Sequence, residues 1–449
     1  MPSGGFVPGG INRGRALASE RTLPASSPPL DVTLARSVAG GPDAEGEGEV
    51  PGSLAIHSFE LSLPRVTLDD LDRASRHLDE AWLRVRSLSD DTEEVVVLST
   101  CHRVELYVVL RSSLGLKRWS ESLPVDRAAW KLRSGREAVR HLFRVAVGLE
   151  SMVPGEADIR HQVRAAGRGG LSRSPRPILR DLFGRAAQAA DLLAPPGSSA
   201  SSVASLAAER LVARLGPARP RVVVLGAGMA GKRVLESLGP AAELCVVFHD
   251  RPPQPALIAK LGARAVPRER LAEELEQADA LVCASRATSY CVGPEHLPKG
   301  RNLLVVDLGV PRNVDPSVRA IPGLELWDLE DLWRARSRGP AGSSLDLAAL
   351  EDLVESCTTH LETLLLEPWI ATLRRRAEAL RRAELSRARS FLGPLAPEQE
   401  AAVDQLTRRL VAQLLLGPSE RLRNLPLGAD GDQLRQFALE LLRPRPPAS

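Results

Sequence analysis

The most constraining feature of the sequence is a strand, a glycine turn and a helix in immediate succession. Val222-Val223-Val224-Leu225 is a short apolar run rich in β-branched residues. Gly226-Ala227-Gly228-Met229-Ala230-Gly231 follows with GxGxxG spacing, and Lys232 to Leu238 carries the apolar period of an amphipathic helix. In such a unit Gly226 permits the tight turn, Gly228 lets a pyrophosphate approach the backbone, and Gly231 allows the helix to pack closely on the strand. The helix N-terminus then offers unpaired N–H groups to the anion. These residues predict a doubly wound α/β domain that holds a dinucleotide. After the next strand, Leu244 to Phe248, Asp250 and Arg251 stand where this fold meets the adenosine ribose. Asp suits a free 2′-hydroxyl and Arg a 2′-phosphate, so the residues themselves leave NAD and NADP open.

One such domain accounts for only part of a chain of 449 residues, 43% of them hydrophobic, and two or three domains are expected. Residues 1–52 are rich in Gly, Pro, Ser and Ala, end in an acidic Gly-rich segment, and predict a disordered extension. A catalytic α/β domain is expected over 53–195, with helices near Leu68 to Leu83, Arg136 to Leu149 and Ile159 to Ala166. Its strands are Val95 to Leu98 and Leu106 to Leu110, and it ends at the breaker Pro195-Pro196-Gly197. The nucleotide-binding domain then covers 196–330 and an all-helical domain 331–449. In the helical part Leu350, Val354, Cys357, Leu361 and Leu364 form one stripe; Val403, Leu406, Leu410 and Leu414 form another that ends at Gly417-Pro418. The stripes fit packing within the chain and packing across a dimer equally well. No apolar run approaches the ~18 residues of a membrane-spanning helix. Five scattered cysteines without paired spacing argue against a zinc site or disulfide framework and suit a reducing, cytoplasmic setting. A net charge of +3 neither requires nor excludes a nucleic-acid partner.

The second chemical signal is Ser99-Thr100-Cys101-His102-Arg103-Val104-Glu105, directly after a buried-type strand. Cys101 is placed at a strand end, where a sulfur faces a cleft. Arg103, with His102 if protonated, is expected to lower its pKa toward a reactive thiolate. His141, in Arg140-His141-Leu142-Phe143-Arg144, is a candidate proton donor. Ser151 and Glu156, in the segment from Glu150 to Glu156, are candidates to hold a polar substrate.

Taken together these segments resemble the glutamyl-tRNA reductase family. That family's STCNR segment appears as Ser99 to Arg103, its HLFRVASGLxSMVxGE segment as His141 to Glu156, and its glycine loop as Gly226 to Gly231. Its DxxVPRxxDP segment appears as Asp307 to Pro316 and its LYDIDDL segment as Leu326 to Leu332. The resemblance covers most of residues 54–420. It implies a catalytic α/β domain, a Rossmann domain using NADPH, and a helical dimerisation domain. Cys101 would take glutamate from glutamyl-tRNA as a thioester, and hydride would release glutamate 1-semialdehyde, at the start of tetrapyrrole synthesis. By the same resemblance His141 serves activity, and Thr100, His102, Arg103, Ser151, Glu156, Ala157, Asp158 and Gln162 form the substrate pocket. Gly226, Ala227, Gly228, Met229, Ala230, Gly231 and Arg251 hold the cofactor. Partners implied are charged tRNA, a second copy of the chain and the aminomutase that takes up the aldehyde.

The chain departs from the family where His102 replaces Asn, Val104 replaces Thr, Ala157-Asp158 replaces Pro-Gln, His161 replaces Gly and Asp250 replaces Asn. These changes touch the pocket itself. They leave two other readings open: a non-catalytic paralogue that binds tRNA or a partner protein, and a reductase of a different acyl donor.

Overall fold

A computed structural model describes residues 54–85, 91–153, 155–174, 177–194, 202–249, 251–285, 287, 289–335, 345–425 and 429–441. The expected disorder of 1–52, the breaker at 195–197 and the ribose position Asp250 lie outside the described residues. The first domain runs β1 (Ala55–Ser62), α1 (Leu68–Val85), β2 (Thr92–Ser99), β3 (Arg103–Leu110), α2 (Ser113–Ser122), β4 (Lys131–Ser134), α3 (Arg136–Ala146), α4 (Ala157–Gly169), β5 (Leu171–Ser172) and α5 (Ile178–Leu193). Among the described residues its strands make one antiparallel sheet in the order β4-β1-β3-β2-β5.

Both faces of this sheet are covered, so every residue of β3 is buried. Val104, Leu106, Val108 and Leu110 alternate onto one face, against Leu71 and Trp119. The other face carries Tyr107 and Val109, packed against Leu142 of α3 and Phe183 of α5. The Tyr107 and Phe183 rings meet edge to face with centroids 5.0 Å apart. Arg103 and Glu105 share the Tyr107 face by the two-residue period, which aims two charged side chains at α3.

The second domain runs α6 (Val203–Leu215), β6 (Arg221–Leu225), α7 (Met229–Leu238), β7 (Glu243–Phe248), α8 (Pro255–Leu261), β8 (Arg264–Pro267), α9 (Leu271–Leu275), β9 (Ala280–Cys283), β10 (Leu303–Asp307), β11 (Leu324–Trp327) and α10 (Leu329–Ala335). Its described strands form a parallel sheet in the order β11-β10-β9-β6-β7-β8. Counted from β6 this is the doubly wound order. The reversal of strand order falls between β6 and β9, at the end of which the glycine turn sits.

The helical region comprises α11 (Leu347–Leu392), α12 (Pro397–Arg423) and α13 (Ala429–Glu440). The structure separates the two stripes. Leu350, Val354, Cys357 and Leu361 are buried in the core shared with α3 and α5, so the first stripe packs within the chain. Leu406, Leu410 and Leu414 of the second stripe are exposed. The expected stop at Gly417-Pro418 is not observed, because α12 continues to Arg423. An interior proline costs a helix about 3 kcal/mol. Here Leu422, one turn further on, is buried against Trp369, Leu373 and Leu439, and that packing carries the helix through. Several arginines between Arg374 and Arg389 are paired within the helices: Arg381 bonds Glu378 and, across to α12, Asp404 at 2.6 Å, and Arg387 bonds Glu384 at 2.7 Å. No helix among the described residues is long and apolar enough to cross a membrane.

Candidate active site

Cys101 and His102 form the tip of the hairpin that joins β2 to β3. Ser99 pairs with Val104, and the Thr100 N–H donates to the Arg103 carbonyl at 2.9 Å, which leaves these two residues to turn the chain. Thr100 is buried, with its Oγ1 3.5 Å from the His102 N–H, while Cys101 is half-buried. The expected depression of the Cys101 pKa is reversed. Burial, then the nearby Glu156 carboxylate, push the thiol well above its ordinary range, and Arg103 opposes this only in part.

Arg103 is weak as an activator because its charge is already engaged. Its Nη1 donates to Glu105 Oε1 at 2.9 Å and its Nη2 to the Glu150 carbonyl. Glu105 also accepts from the Tyr107 hydroxyl at 2.8 Å and lies 2.9 Å from His141 Nε2. On β1, Glu60 is the direct cross-strand partner of Glu105, and like charges so placed repel. The cations Arg103 and Arg133 balance them: Arg133 Nη1 is 2.7 Å from Glu60, His141 Nε2 lies 3.8 Å from it, and the other oxygen of Glu60 accepts from Ser62 at 2.5 Å. Burial alone would raise the Glu105 pKa, but the His141 charge and hydrogen bond, with Arg103, hold it well below the carboxylate range. His141 therefore has Nε2 committed to a carboxylate network, one layer behind the thiol.

The loop after α3 carries two more of the candidate residues. Ser151 is buried and its Oγ makes no hydrogen bond. Glu156 is buried just before α4. Burial and the neighbouring Asp158 raise its pKa to about 7, against an opposing hydrogen bond from the Val203 N–H of α6 and the charge of Arg103. The fold accordingly gains from neutral Glu156 at low pH, and loses that contribution as pH rises through about 7. Ala157 opens α4, and Gln162 lies half-buried one turn beyond Asp158 on the same helix. His161 is exposed.

The nucleotide domain reaches these residues at two points. Arg233 of α7 donates to Asp158 at 3.3 Å, and the Trp333 ring of α10 lies 5.8 Å from the His102 ring. The helix α7 begins at Met229, inside the glycine motif rather than after it, so Gly228 is its N-cap and Gly231 lies in its first turn. Gly226 has φ +109°, and a Cβ there would lie 2.8 Å from the Ala284 carbonyl oxygen. A Cβ on Gly231 would run into the Gly226 carbonyl oxygen, whereas the space beside Gly228 is open. That open cradle at a helix N-terminus fits a dinucleotide pyrophosphate. Ala227 and Ala230 are half-buried, Met229 is exposed, and Arg251 is exposed beyond the end of β7. Gly228→Val is expected to leave thermal stability nearly unchanged yet weaken dinucleotide binding, whereas Gly231→Val is expected to destabilise the domain by about 1–3 kcal/mol. Calorimetric melting with fluorescence titration of the reduced cofactor separates the two.

Sequence reasoning missed Glu60, Ser62, Arg133, the Glu150 carbonyl and Trp333. A signal existed for two of them, since Ser58, Glu60 and Ser62 alternate with the apolar residues of β1. Such alternation ordinarily marks a solvated face.

Residues 62–193 match the family model for the N-terminal domain of glutamyl-tRNAGlu reductase, and 348–443 match its dimerisation domain. Residues 207–335 match the model for shikimate/quinate 5-dehydrogenase. The glutamyl-tRNA reductase of Rubrobacter xylanophilus is 34% identical over 369 residues, 76% of this chain and 85% of that protein. Glutamyl-tRNA reductase 2 of a Nocardioides species is 33% identical over 392 residues, 80% of this chain and 86% of that protein. Among solved structures, the glutamyl-tRNA reductase of Methanopyrus kandleri is 24% identical, with 86% of this chain and 98% of that chain covered and a TM-score of 0.42. The chain belongs to the glutamyl-tRNA reductase family.

Proposed function

We propose that this protein reduces the glutamyl group of glutamyl-tRNA to glutamate 1-semialdehyde, with Cys101 carrying the acyl group as a thioester and NADPH bound at Gly226 to Gly231. The observation that carries this reading is the meeting of the two halves. The helix that opens in the glycine motif bonds, through Arg233, to Asp158, whose charge together with that of Glu156 acts on the Cys101 sulfur.

An aminoacyl ester is already activated, so a thiolate displaces the tRNA without ATP, and the resulting thioester accepts hydride more readily than a carboxylate does. Bound nicotinamide supplies that hydride. Ser151, with an unpaired buried Oγ, and Thr100, Arg103, Glu156 and Gln162 are the groups we assign to the substrate. Glu156, neutral below about pH 7, is then a hydrogen-bond donor to the glutamyl carboxylate rather than a fixed anion. His141 acts from behind, fixing Glu105 and through it Arg103. We assign the exposed Leu406, Leu410 and Leu414 stripe to a homodimer. The five free thiols suit a reducing cytoplasm. The product aldehyde is reactive toward water and amines, which favours direct uptake by the aminomutase that consumes it.

The test is oxidation of NADPH by the purified protein with glutamyl-tRNA, free glutamate or a glutamyl thioester, together with detection of the aldehyde. Oxidation and aldehyde with the charged tRNA alone support the reading. Preference for the free thioester, or tRNA binding without turnover, contradicts it.

A further inference from the structure

We propose that His102 donates its Nδ1–H to the Cys101 sulfur and so stabilises, as a thiolate, the atom that attacks the acyl ester. The inference rests on the reductase reading and supplies a stabilisation it lacks. His102 Nδ1 lies 3.4 Å from Cys101 Sγ, within hydrogen-bond reach of an atom as large as sulfur. The other ring nitrogen fixes where the hydrogen is. Arg103 Nε–H donates to His102 Nε2 at 3.3 Å, with Arg103 Nη2 3.1 Å from the same nitrogen. A guanidinium only donates, so Nε2 presents its lone pair and the ring hydrogen sits on Nδ1, facing the sulfur. The Glu150 carbonyl oxygen, 3.2 Å from Nε2, also accepts from Arg103 Nη2, so one guanidinium serves both acceptors.

The surroundings keep that donor in place and give it a task. The His102 ring is 1% exposed and the Trp333 ring lies beside it, so solvent competes little for the N–H. At the sulfur, burial disfavours the thiolate most, followed by Glu156, and Asp158 adds to it; Asp158 is itself paired with Arg233 at 3.3 Å. Against these stand Arg103, whose charge is shared with Glu105 at 2.9 Å, and the Cys101 backbone N–H. A hydrogen bond to the charged form favours that form, and a neutral ring provides one without bringing a further charge into the hairpin. Asn, the usual residue here in the family, carries its amide on the same side-chain carbon that bears Nδ1 in His. The exchange to His thus keeps an N–H for the sulfur and adds the Nε2 acceptor through which Arg103 fixes it.

The ring hydrogen stays on Nδ1 throughout the step. The thiol proton leaves to water, the sulfur bonds to the acyl carbon, the carbon–oxygen bond to the terminal ribose breaks, and the ribose oxygen takes a proton from water. The products are the thioester and uncharged tRNA, with no change of oxidation state and none in His102.

The experiment compares the full-length protein with His102→Asn and His102→Leu, the folding of each confirmed by its melting curve. Both substitutions remove the acceptor of Arg103, but only Asn keeps an N–H for the sulfur, so the difference between them reads the donor alone. Two rates are followed across about pH 6 to 10, which brackets the ordinary thiol range: alkylation of Cys101 by iodoacetamide, read on its own peptide by mass spectrometry, and the burst of tRNA release from glutamyl-tRNA without nicotinamide. The rise of the alkylation rate is expected about 1–2 pH units higher in His102→Leu than in His102→Asn. A more basic thiolate is also more nucleophilic, so at neutral pH the Leu variant is expected to be slower by about 3–10-fold, in alkylation and in the burst. Nitrogen NMR of the wild-type histidine rings, with His102 identified by its loss from the Asn variant, is expected to show a hydrogen on Nδ1 and none on Nε2. Variants whose rates rise at the same pH overturn the proposal, as does a hydrogen on Nε2 with none on Nδ1. Separated alkylation curves with no release of tRNA by any of these proteins refute the reductase reading while leaving the Cys101–His102 hydrogen bond intact.

Discussion

Cys101→Ser is expected to abolish aldehyde formation from glutamyl-tRNA, a loss on the order of 10⁴-fold or more. A hydroxyl at the same hairpin tip is a far weaker nucleophile than a thiol. The ester it would form also resists hydride better than a thioester does. Cys101 is half-buried and the substitution nearly isosteric, so the fold should change in stability by less than about 1 kcal/mol. Cofactor binding at Gly226 to Gly231 should persist. Turnover measured by aldehyde formation, beside a melting curve and a cofactor titration, checks all three, and turnover that survives removes Cys101 from the mechanism.

Glu105→Gln is expected to produce the largest loss of stability, about 3–5 kcal/mol, because it removes one partner of a buried ion pair and leaves the other uncompensated. Arg103 and Glu105 are 2% and 0% exposed, and Glu105 also anchors Tyr107 and His141. The sign of the pH dependence follows from its pKa, which is held well below the ordinary carboxylate range. That stabilisation is present above the unfolded carboxylate pKa and fades as the pH falls, so wild type and variant should converge in acid. Urea denaturation at neutral and acid pH measures the difference. An unchanged midpoint at neutral pH would mean that the network is not coupled to folding. The double substitution Arg103→Met with Glu105→Leu should recover much of the stability, since exchanging a whole buried pair for apolar groups is often neutral. It should do so without restoring activity.

How much of this was legible in the sequence depends on whether a signal is local. The Gly226 to Gly231 turn and the hairpin tip at Cys101 are each defined by residues adjacent in the chain, and both stand where the apolar runs place them. The Arg103–Glu105–His141–Glu60–Arg133 network was not legible. Its members come from β3, α3, β1 and β4, and a charged residue on a strand reads as solvated until the covering helix is known. The same non-local effect reversed the expected behaviour of Cys101, because burial and Glu156, 55 positions away in the chain, outweigh the adjacent Arg103. Helix ends failed for a related reason. Pro418 is a local stop signal, but Leu422 finds a core beyond it.

Whether Cys101 carries the acyl group is read most simply by mass spectrometry of the protein incubated with glutamyl-tRNA in the absence of NADPH and quenched in acid. One added glutamyl mass is expected on the Cys101 peptide, removed by hydroxylamine, converted to free aldehyde when NADPH is supplied, and missing from Cys101→Ser. An unmodified Cys101 in protein that still makes the aldehyde when NADPH is present would contradict it.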